Sequence, residues 1–232
     1  MSINFEYLNQ IEGWLDPRAM IFSNYLKNYY LKDSFDSLEI GIHHGKFFLS
    51  LENITPKENI AFAIDVFDDQ ENNLDGSGKG NLEIFKEHID KFAINKSRVK
   101  IIQQDSLQLK SSDYYNFNFG IISIDGGHTE NHTMNDLQFA QDIMDKETFV
   151  ILDDILNPEW GGVVTGFAKF NSYHATKLVP FAIGYNKLFM CHLSNLNNIQ
   201  EKIFKDKEIL NQLNLNPFKY TNFFSHNLIV LI

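Results

Sequence analysis

The sequence has little cysteine and little arginine, and each shortage excludes a class of protein. Cys191 is the only cysteine among 232 residues, so an internal disulfide cannot form. Arginine occurs only as Arg18 and Arg98, and 30 acidic residues against 20 lysines and arginines give a formal net charge of −10. Because an acidic surface repels the phosphate backbone of DNA or RNA, we expect no nucleic-acid partner.

Long apolar runs are also missing. No run approaches the roughly 20 residues that a membrane-spanning helix needs, so we expect no membrane partner. The first 16 residues contain Glu6, Glu12 and Asp16 and lack the charged-then-apolar pattern of a secretion signal. Together with the single cysteine, this pattern predicts a cytoplasmic protein.

What remains is the composition of one ordinary globular domain. Hydrophobic residues make up 44% of the chain, and 232 residues are ample for one sizeable core. We expect a single domain over residues 1–232, with a helical extension at 1–35, a core at 36–192, and a C-terminal helix and strand-like tail at 193–232. The extension has the pattern of two helices broken near Pro17.

Short apolar runs alternate with helix-length segments through the core. Strands that are apolar throughout and alternate with helices predict an α/β fold, with a parallel sheet covered by helices on both faces. The five predicted parallel strands are residues 37–42, 60–66, 99–103, 119–124 and 148–152. Two later runs, 176–183 and 187–192, flank Gly184, Tyr185 and Asn186, and this turn predicts an antiparallel hairpin.

In an open sheet of this kind, ligands bind beyond the carboxyl ends of the strands. After the first strand, Gly41 permits a tight turn and Gly45 lets the next helix begin close to a ligand. His44, between them, is a candidate ligand contact. The spacing differs from the dinucleotide motif G-x-G-x-x-G, and an ordinary strand-to-helix turn explains it equally well.

Acidic residues also follow the second and third predicted strands. Asp65 lies 24 positions after Gly41, close to the spacing of about 20 residues at which an acidic side chain binds ribose hydroxyls in nucleoside-binding domains. Asp105 and Ser106 follow the third strand, where they are placed to meet an adenine ring. A plain helix N-cap explains this last pair nearly as well.

The fourth and fifth predicted strands end in three carboxylates, Asp125, Asp153 and Asp154. Adjacent strands lie about 4.8 Å apart, so these groups converge and repel one another unless a cation neutralises them. Oxygen ligands without cysteine favour Mg²⁺ or another divalent cation. In the alternative, one of the adjacent pair caps a turn and the other is solvated. His128 is a candidate base for a substrate hydroxyl, although a lone histidine is more often structural.

Residues 68–81 form a long polar segment that is rich in glycine. Segments of this length in compact domains often act as lids, and we expect a lid over cofactor or substrate. A mobile surface loop is the alternative. The G-S-G-K-G stretch lacks the G-x-x-x-x-G-K-[ST] pattern of a phosphate-binding loop.

Five sequence blocks carry a resemblance to a known family. They are E-I-G-x-x-x-G from Glu39, I-D at Asp65, Q-D-S around Asp105, I-D-G-G-H-T around Asp125, and L-D-D-I followed by P-x-W-x-G-V from Leu152. Over about residues 36–192 the chain resembles the class I S-adenosylmethionine (SAM)-dependent methyltransferases. Within them it is most similar to the macrocin O-methyltransferase-like group, which acts on sugar hydroxyls of natural products.

The resemblance implies a Rossmann-like, mostly parallel sheet of seven strands, of which the last is antiparallel. It also implies that Glu39, Gly41 and Gly45 line the methionine part of SAM. By the same resemblance, Asp65 binds the ribose, while Asp105 and Ser106 lie near the adenine. One departure is His43, which stands where many class I enzymes have glycine.

The resemblance extends to the chemistry of the site. Asp125, Asp153 and Asp154 match the ligands of the metal-dependent O-methyltransferases, and His128 matches a residue near the methyl acceptor. Asp125 is therefore a candidate cofactor contact, catalytic residue and metal ligand at once. We expect SAM and Mg²⁺ as cofactors and a small-molecule acceptor, such as a sugar or glycoside, whereas a homo-oligomer is left open.

Three other functions remain open from the sequence. A metal-independent methyltransferase would use the carboxylates to hold substrate hydroxyls directly. A SAM-binding scaffold without catalysis is a second alternative, although buried carboxylates that repel one another are costly to keep. A nicotinamide oxidoreductase is the most distant, because the glycine spacing does not match its motif.

Overall fold

The computed structural model describes residues 6–71, 73–173, 176–215 and 219–231. Within these ranges, one sheet of nine strands has the order β3-β2-β1-β4-β5-β7-β6-β9-β8. The strands are β1 (Asp36–Ile40), β2 (Ala61–Asp65), β3 (Val99–Gln103), β4 (Phe119–Ile124), β5 (Phe149–Leu152), β6 (Leu178–Gly184), β7 (Lys187–His192), β8 (Lys219–Phe223) and β9 (His226–Val230). Strands β1 to β5 are parallel, and β7 is antiparallel to both β5 and β6.

The described residues form seven α-helices, four of which begin at a side-chain cap; that of α7 is Asp206. The helices are α1 (Pro17–Tyr30), α2 (Lys46–Ile54), α3 (Leu82–Phe92), α4 (Glu130–Ile143), α5 (Gly161–Asn171), α6 (Leu196–Lys205) and α7 (Lys207–Gln212). The side chains of Asp16, Asn81 and Thr129 accept backbone N–H groups at the starts of α1, α3 and α4. None of the described helices is both long enough and apolar enough to cross a membrane.

Helices cover both faces of the sheet, as the alternation of strands and helices predicts. On one face α1, α2, α6 and α7 share a core with β4, β5 and β7, in which Phe22 and Phe189 are fully buried. On the other face α4 and α5 pack through Leu137 and Phe167. The extension ahead of the sheet contains a short 3₁₀ helix (Glu6–Gln10) and α1, which begins at Pro17.

The predicted architecture is confirmed, but the sheet has nine strands instead of seven. The extra strands are β8 and β9, an antiparallel hairpin within the segment that was expected to be a single strand-like tail. Its turn places Phe224 and Ser225 at φ angles of 47° and 66°. Turns with positive φ normally contain glycine or asparagine, so the sequence carries no hairpin signal at this position. Buried Leu228 and Ile229 hold β9 beside β6.

Candidate functional site

A cavity of about 790 Å³ lies where the five parallel strands end. This volume falls within the range of about 300–1,000 Å³ that is typical of small-molecule sites. Its wall contains the ends of β1 to β5, the turn between β6 and β7, and two segments at 12–16 and 73–80. The rule that ligands bind beyond the carboxyl ends of strands therefore locates the cavity correctly.

The turn after β1 lies under the cavity in a conformation that only glycine tolerates at its first position. Gly41 has φ +87°, and a Cβ built there would lie 1.8 Å from the carbonyl oxygen of Asp125. His43, two residues later, also has a positive φ of 52°. The carboxylate of Asp65 fixes this turn because it accepts the N–H groups of Ile42 at 2.5 Å and His43 at 2.8 Å.

Two of the predicted ligand contacts do not line the cavity. His44 is buried with its ring 3.9 Å from that of His43, and it is His43 that faces the cavity. Gly45 is the N-cap of α2 with φ +89°, and a Cβ there would lie 2.6 Å from the ring of Phe85. Packing against Phe85 therefore accounts for Gly45 without a ligand.

Glu39 is placed inside the wall of the cavity, on a strand that is buried along its whole length. Its Oε1 accepts the hydroxyl of Ser123 at 3.2 Å, whereas its Oε2 is buried without a hydrogen-bond partner among the described residues. Burial, followed by the charge of Asp125, raises the pKa of the Glu39 carboxyl well above its usual range. A positively charged ligand group would satisfy this oxygen.

Asp105 and Ser106 line the cavity after β3. Asp105 caps a short 3₁₀ helix by accepting the N–H of Leu107 at 2.9 Å. His132, which the sequence did not single out, joins them because its Nε2 lies 3.4 Å from Asp105 Oδ1. The ring of His132 also packs beneath Gly127, where a Cβ would lie 2.8 Å from it.

The three carboxylates after β4 and β5 all reach the cavity, but they have different partners. Asp153 forms an ion pair with Lys187, and both side chains are nearly buried. The lysine is therefore a cation that neutralises one member of the predicted cluster. Asp125, Asp154 and His128 form the compact group instead, with one ligand atom of each lying within 4.8 Å of the others.

His128 is held between two carboxylates. Its Nδ1 lies 3.0 Å from Asp75 Oδ2, and its Nε2 lies 2.9 Å from Asp154 Oδ2, an ion-pair contact rather than an aligned hydrogen bond. The ring also stacks on Trp160, with centroids 4.5 Å apart. Burial lowers the pKa of His128, but its contacts with Asp154 and Asp75 outweigh this effect and raise it to about 10. These contacts stabilise the imidazolium form.

Asp154 and Asp125 differ in how far their charges are compensated. Asp154 adopts a positive φ of 58°, and its Oδ1 accepts amide groups from Asn157 at 2.9 Å and Asn186 at 2.6 Å. Burial raises the pKa of Asp154, but the contact with His128, together with the hydrogen bonds from Asn157 and Asn186, outweighs burial and gives a lowered value. Burial and the charge of Asp153 raise the pKa of Asp125 well above its usual range. Asp125 is thus the carboxyl that a cation would stabilise most.

Several residues of the site were missed by sequence analysis. Lys187 faces Asp153 because β5 and β7 are antiparallel, with Leu152 opposite Leu188. The only indication in the sequence that Lys187 belongs to the site was its position at the start of an otherwise apolar strand. Asp75 comes from the segment predicted to be a lid, where nothing distinguished it from its polar neighbours.

Comparison with known proteins agrees with this geometry. A family model described as a methyltransferase domain matches residues 38–155, just over half of the chain. The chain belongs to this family. It is a SAM-dependent methyltransferase, as the sequence resemblance predicts. A search of curated protein sequences finds no match.

Solved structures show the same fold at low sequence identity. The O-methyltransferase from Bacillus cereus in complex with SAH is 15% identical, with a TM-score of 0.60 over 81% of this chain and 89% of its own. The O-methyltransferase NovP is 13% identical, with a TM-score of 0.59 over 75% of this chain and 79% of its own. CalS11, a TDP-rhamnose 3'-O-methyltransferase, is 13% identical, with a TM-score of 0.55 over 82% of this chain and 87% of its own. At such identities the likeness establishes the fold alone.

Proposed function

We propose that this methyltransferase transfers the methyl group of SAM to a hydroxyl oxygen of a small molecule, such as a sugar or glycoside, with the help of a divalent cation. The observation that carries the proposal is the convergence of Asp125, His128 and Asp154 beside the glycine turn, within one cavity. The names of NovP and CalS11 support an oxygen acceptor, and that of CalS11 supports a sugar. The macrocin-like branch remains part of this proposal.

The wall between β1 and β3 fits SAM. Glu39 has an unpartnered buried oxygen that suits the ammonium group of the cofactor, and Gly41 leaves a space that a Cβ would fill. Asp65 would meet the ribose, although backbone N–H groups already occupy both of its oxygens. Asp105 and Ser106 would lie at the adenine. When bound, SAM supplies the activated methyl group.

The wall between β4 and β5 fits a divalent cation. Asp125 and Asp154 would hold the cation through carboxylate oxygens. The imidazole of His128 lies close to the same point and would be left as the proton acceptor. A bound cation lowers the pKa of a coordinated hydroxyl and orients it. Asp153, predicted from the sequence as a ligand, would act through Lys187, because Oδ2 pairs with that lysine and Oδ1 accepts the N–H of Asp154.

His128 is the proposed proton acceptor for the hydroxyl. It lies between the cation ligands and the Asp75 segment, where it is nine-tenths buried and shielded from bulk water. Its two ion pairs keep a proton on the ring, so it serves as a base only when one of these contacts is broken. The attacking oxygen and the methyl group would be aligned by the cavity wall, and such positioning supplies much of the rate.

Calorimetry with S-adenosylhomocysteine (SAH) tests the cofactor part of the proposal. We expect wild-type protein to bind SAH and Gly41→Ala to lose at least about tenfold in affinity, because the added Cβ collides with the backbone at Asp125. Gly161→Ala is the matched control, since a Cβ there meets nothing within 4 Å. Absence of SAH binding by the wild-type protein would reject the proposal.

Titration with Mn²⁺, followed by electron paramagnetic resonance, tests the metal part separately. We expect Asp125→Asn and Asp154→Asn each to weaken Mn²⁺ binding by at least about tenfold, because each removes a charged ligand. Asp153→Asn should weaken it less, since that carboxylate is paired with Lys187. Unchanged Mn²⁺ binding in both of the first two variants, with methyl transfer resistant to EDTA, would favour the metal-independent alternative.

A further inference from the structure

His132 is a buried histidine in the wall of the cavity that the proposed reaction does not use. It lies near the start of α4, lines the cavity and is only 5% exposed. Its ring packs beneath the turn after β4, where a Cβ on Gly127 would lie 2.8 Å from it. Because burial of a polar ring is costly unless its nitrogen atoms have partners, the partners indicate what the ring does.

The two ring nitrogens of His132 face different partners. Nδ1 lies 2.7 Å from the hydroxyl oxygen of Thr129, and Nε2 lies 3.4 Å from Oδ1 of Asp105. The hydroxyl oxygen of Thr129 already accepts the backbone N–H of His132 at 3.2 Å, so its own hydrogen is free to be donated to Nδ1. A neutral ring that accepts at Nδ1 carries its hydrogen on Nε2, where it faces the carboxylate. The opposite tautomer would turn a lone pair towards that carboxylate, which is repulsive.

The carboxylate of Asp105 is held at one of its two oxygens. Its Oδ1 accepts the backbone N–H of Leu107 at 2.9 Å and faces Nε2 of His132. The side chain is 13% exposed and lines the same cavity. Since both contacts use Oδ1, Oδ2 is left to accept a hydrogen from a ligand in the cavity. An acceptor held in this way favours a ligand that presents an amino group over one that presents a carbonyl oxygen.

We propose that His132 is a positioning residue that makes this methyltransferase selective for a cofactor with a 6-amino purine. The ring orients the carboxylate of Asp105, and Oδ2 accepts a hydrogen from the 6-amino group of the base. This inference rests on the proposed function, because it assumes that the adenine of SAM lies beside Asp105. His132 acts through Asp105 and takes no part in the methyl transfer itself.

Calorimetry with two ligands tests the selectivity. SAH carries the 6-amino group, and S-inosylhomocysteine carries an oxo group at the same position of the purine. We expect the wild-type protein to bind SAH at least about tenfold more tightly, because the oxo group would face the carboxylate of Asp105. Equal affinities for the two ligands would overturn the proposal. Failure of SAH itself to bind would reject the proposed function instead.

Two substitutions of His132 separate positioning from packing. His132→Leu keeps a side chain beneath Gly127 but removes both nitrogens, and we expect the preference for SAH to fall at least about threefold. His132→Gln retains an N–H that can reach Asp105, so it should keep more of the preference than His132→Leu. A merely structural role would lower both affinities by the same factor, and that result would overturn the proposal. His88→Leu makes the same change outside the cavity wall and should leave both affinities unchanged.

Asp105→Asn provides a variant whose expected effect has the opposite sign. The amide oxygen takes the place of Oδ1, where the N–H groups of Leu107 and His132 need an acceptor, so the amide nitrogen replaces Oδ2. The amide then donates to an oxo group, and we expect the preference to reverse towards S-inosylhomocysteine. Adding His132→Leu or His132→Gln should reduce the reversal more for leucine, because only Leu107 then orients the amide. A retained preference for SAH in Asp105→Asn, or an undiminished reversal with leucine, would overturn the proposal.

Discussion

Three neighbouring carboxylates of this site behave differently because each has different partners. Asp153 has a buried lysine, and Asp154 has two amide groups and an imidazole. In the part of the chain that the structure describes, Asp125 has no cation closer than His128 Nε2, which lies 3.9 Å away. The negative charge of the three carboxylates is thus partly neutralised by groups of the protein itself. What remains uncompensated is concentrated on Asp125, where the proposed cation would bind.

The buried ion pair between Lys187 and Asp153 gives a direct test of this view. Lys187→Met leaves Asp153 unpaired at a site where its side chain is 12% exposed, and we expect a loss of about 3–5 kcal/mol in the free energy of unfolding. Adding Asp153→Leu should recover part of the loss, because the uncompensated charge is then gone. Urea denaturation of both variants measures the effect.

An exposed pair provides the comparison for this experiment. Lys205 and Glu201 form an ion pair on α6 with side chains that are 72% and 66% exposed. Lys205→Met should change the unfolding free energy by no more than about 0.5 kcal/mol, since exposed pairs contribute little. A loss for Lys187→Met as small as that for Lys205→Met would show that the buried pair does not balance the cluster.

At the scale of elements, the segment over residues 73–80 is joined to His128 by the side chains of Asp75 and Ser77. Asp75 accepts a hydrogen bond from the backbone N–H of His128 at 2.5 Å. It also forms an ion pair with the imidazole ring of His128. Burial raises the pKa of Asp75, but the hydrogen bond from His128 and those from Ser77 outweigh it and lower the value below the usual range. The segment is therefore closed over the cavity by a charged contact and not by an apolar one.

Replacing Asp75 by alanine should release this segment. Hydrogen bonds to charged groups contribute about 1.5–3 kcal/mol, so we expect roughly tenfold faster amide exchange over residues 73–80 and faster dissociation of SAH. Exchange measured by mass spectrometry and stopped-flow SAH release check the two effects. Lys79→Ala is the control, because Lys79 belongs to the same segment but is exposed and lies outside the cavity wall. Equal behaviour of the two variants would contradict a role for the Asp75 contact.

The elements that sequence analysis predicted share a local cause. The strands β1 to β5 are short apolar runs, and the turn between β6 and β7 contains Gly184 and Asn186, so each has a signal within a few residues. Asp65, Asp105 and Asp125 were predicted to lie at the cavity because each follows the end of one of these strands. Local signals were sufficient for the parallel sheet and for its carboxyl edge.

What could not be predicted depends on contacts between distant parts of the chain. Asp75 and His128 are 53 residues apart, and Lys187 and Asp153 are 34 residues apart. Both contacts depend on which strands are neighbours and on the path of a long loop, neither of which a local pattern contains. A related reason applies to His44, because a sequence does not show that its neighbour His43 takes the positive φ and lines the cavity.

At the scale of the molecule, the sheet continues past the part that positions the site. The family match ends at residue 155, whereas β6 to β9 lie beyond it and complete one sheet with β5. Residues of α6, α7 and β9 are buried in the same core as β4 and β5. The C-terminal segment is therefore expected to stabilise the whole domain and not to fold as an appendage.

Ile229→Ala tests whether the C-terminal hairpin is integral to the fold. Ile229 is fully buried on β9 opposite Ala182 of β6, so the cavity left by alanine should cost about 2–5 kcal/mol in global unfolding free energy. Thr221→Ala, on the exposed strand of the same hairpin, should change it by less than about 0.5 kcal/mol. If Ile229→Ala frees only the hairpin, urea unfolding monitored at the two tryptophans of the cavity will match the wild type. A shift of that transition to lower urea would show that the hairpin and the site unfold together.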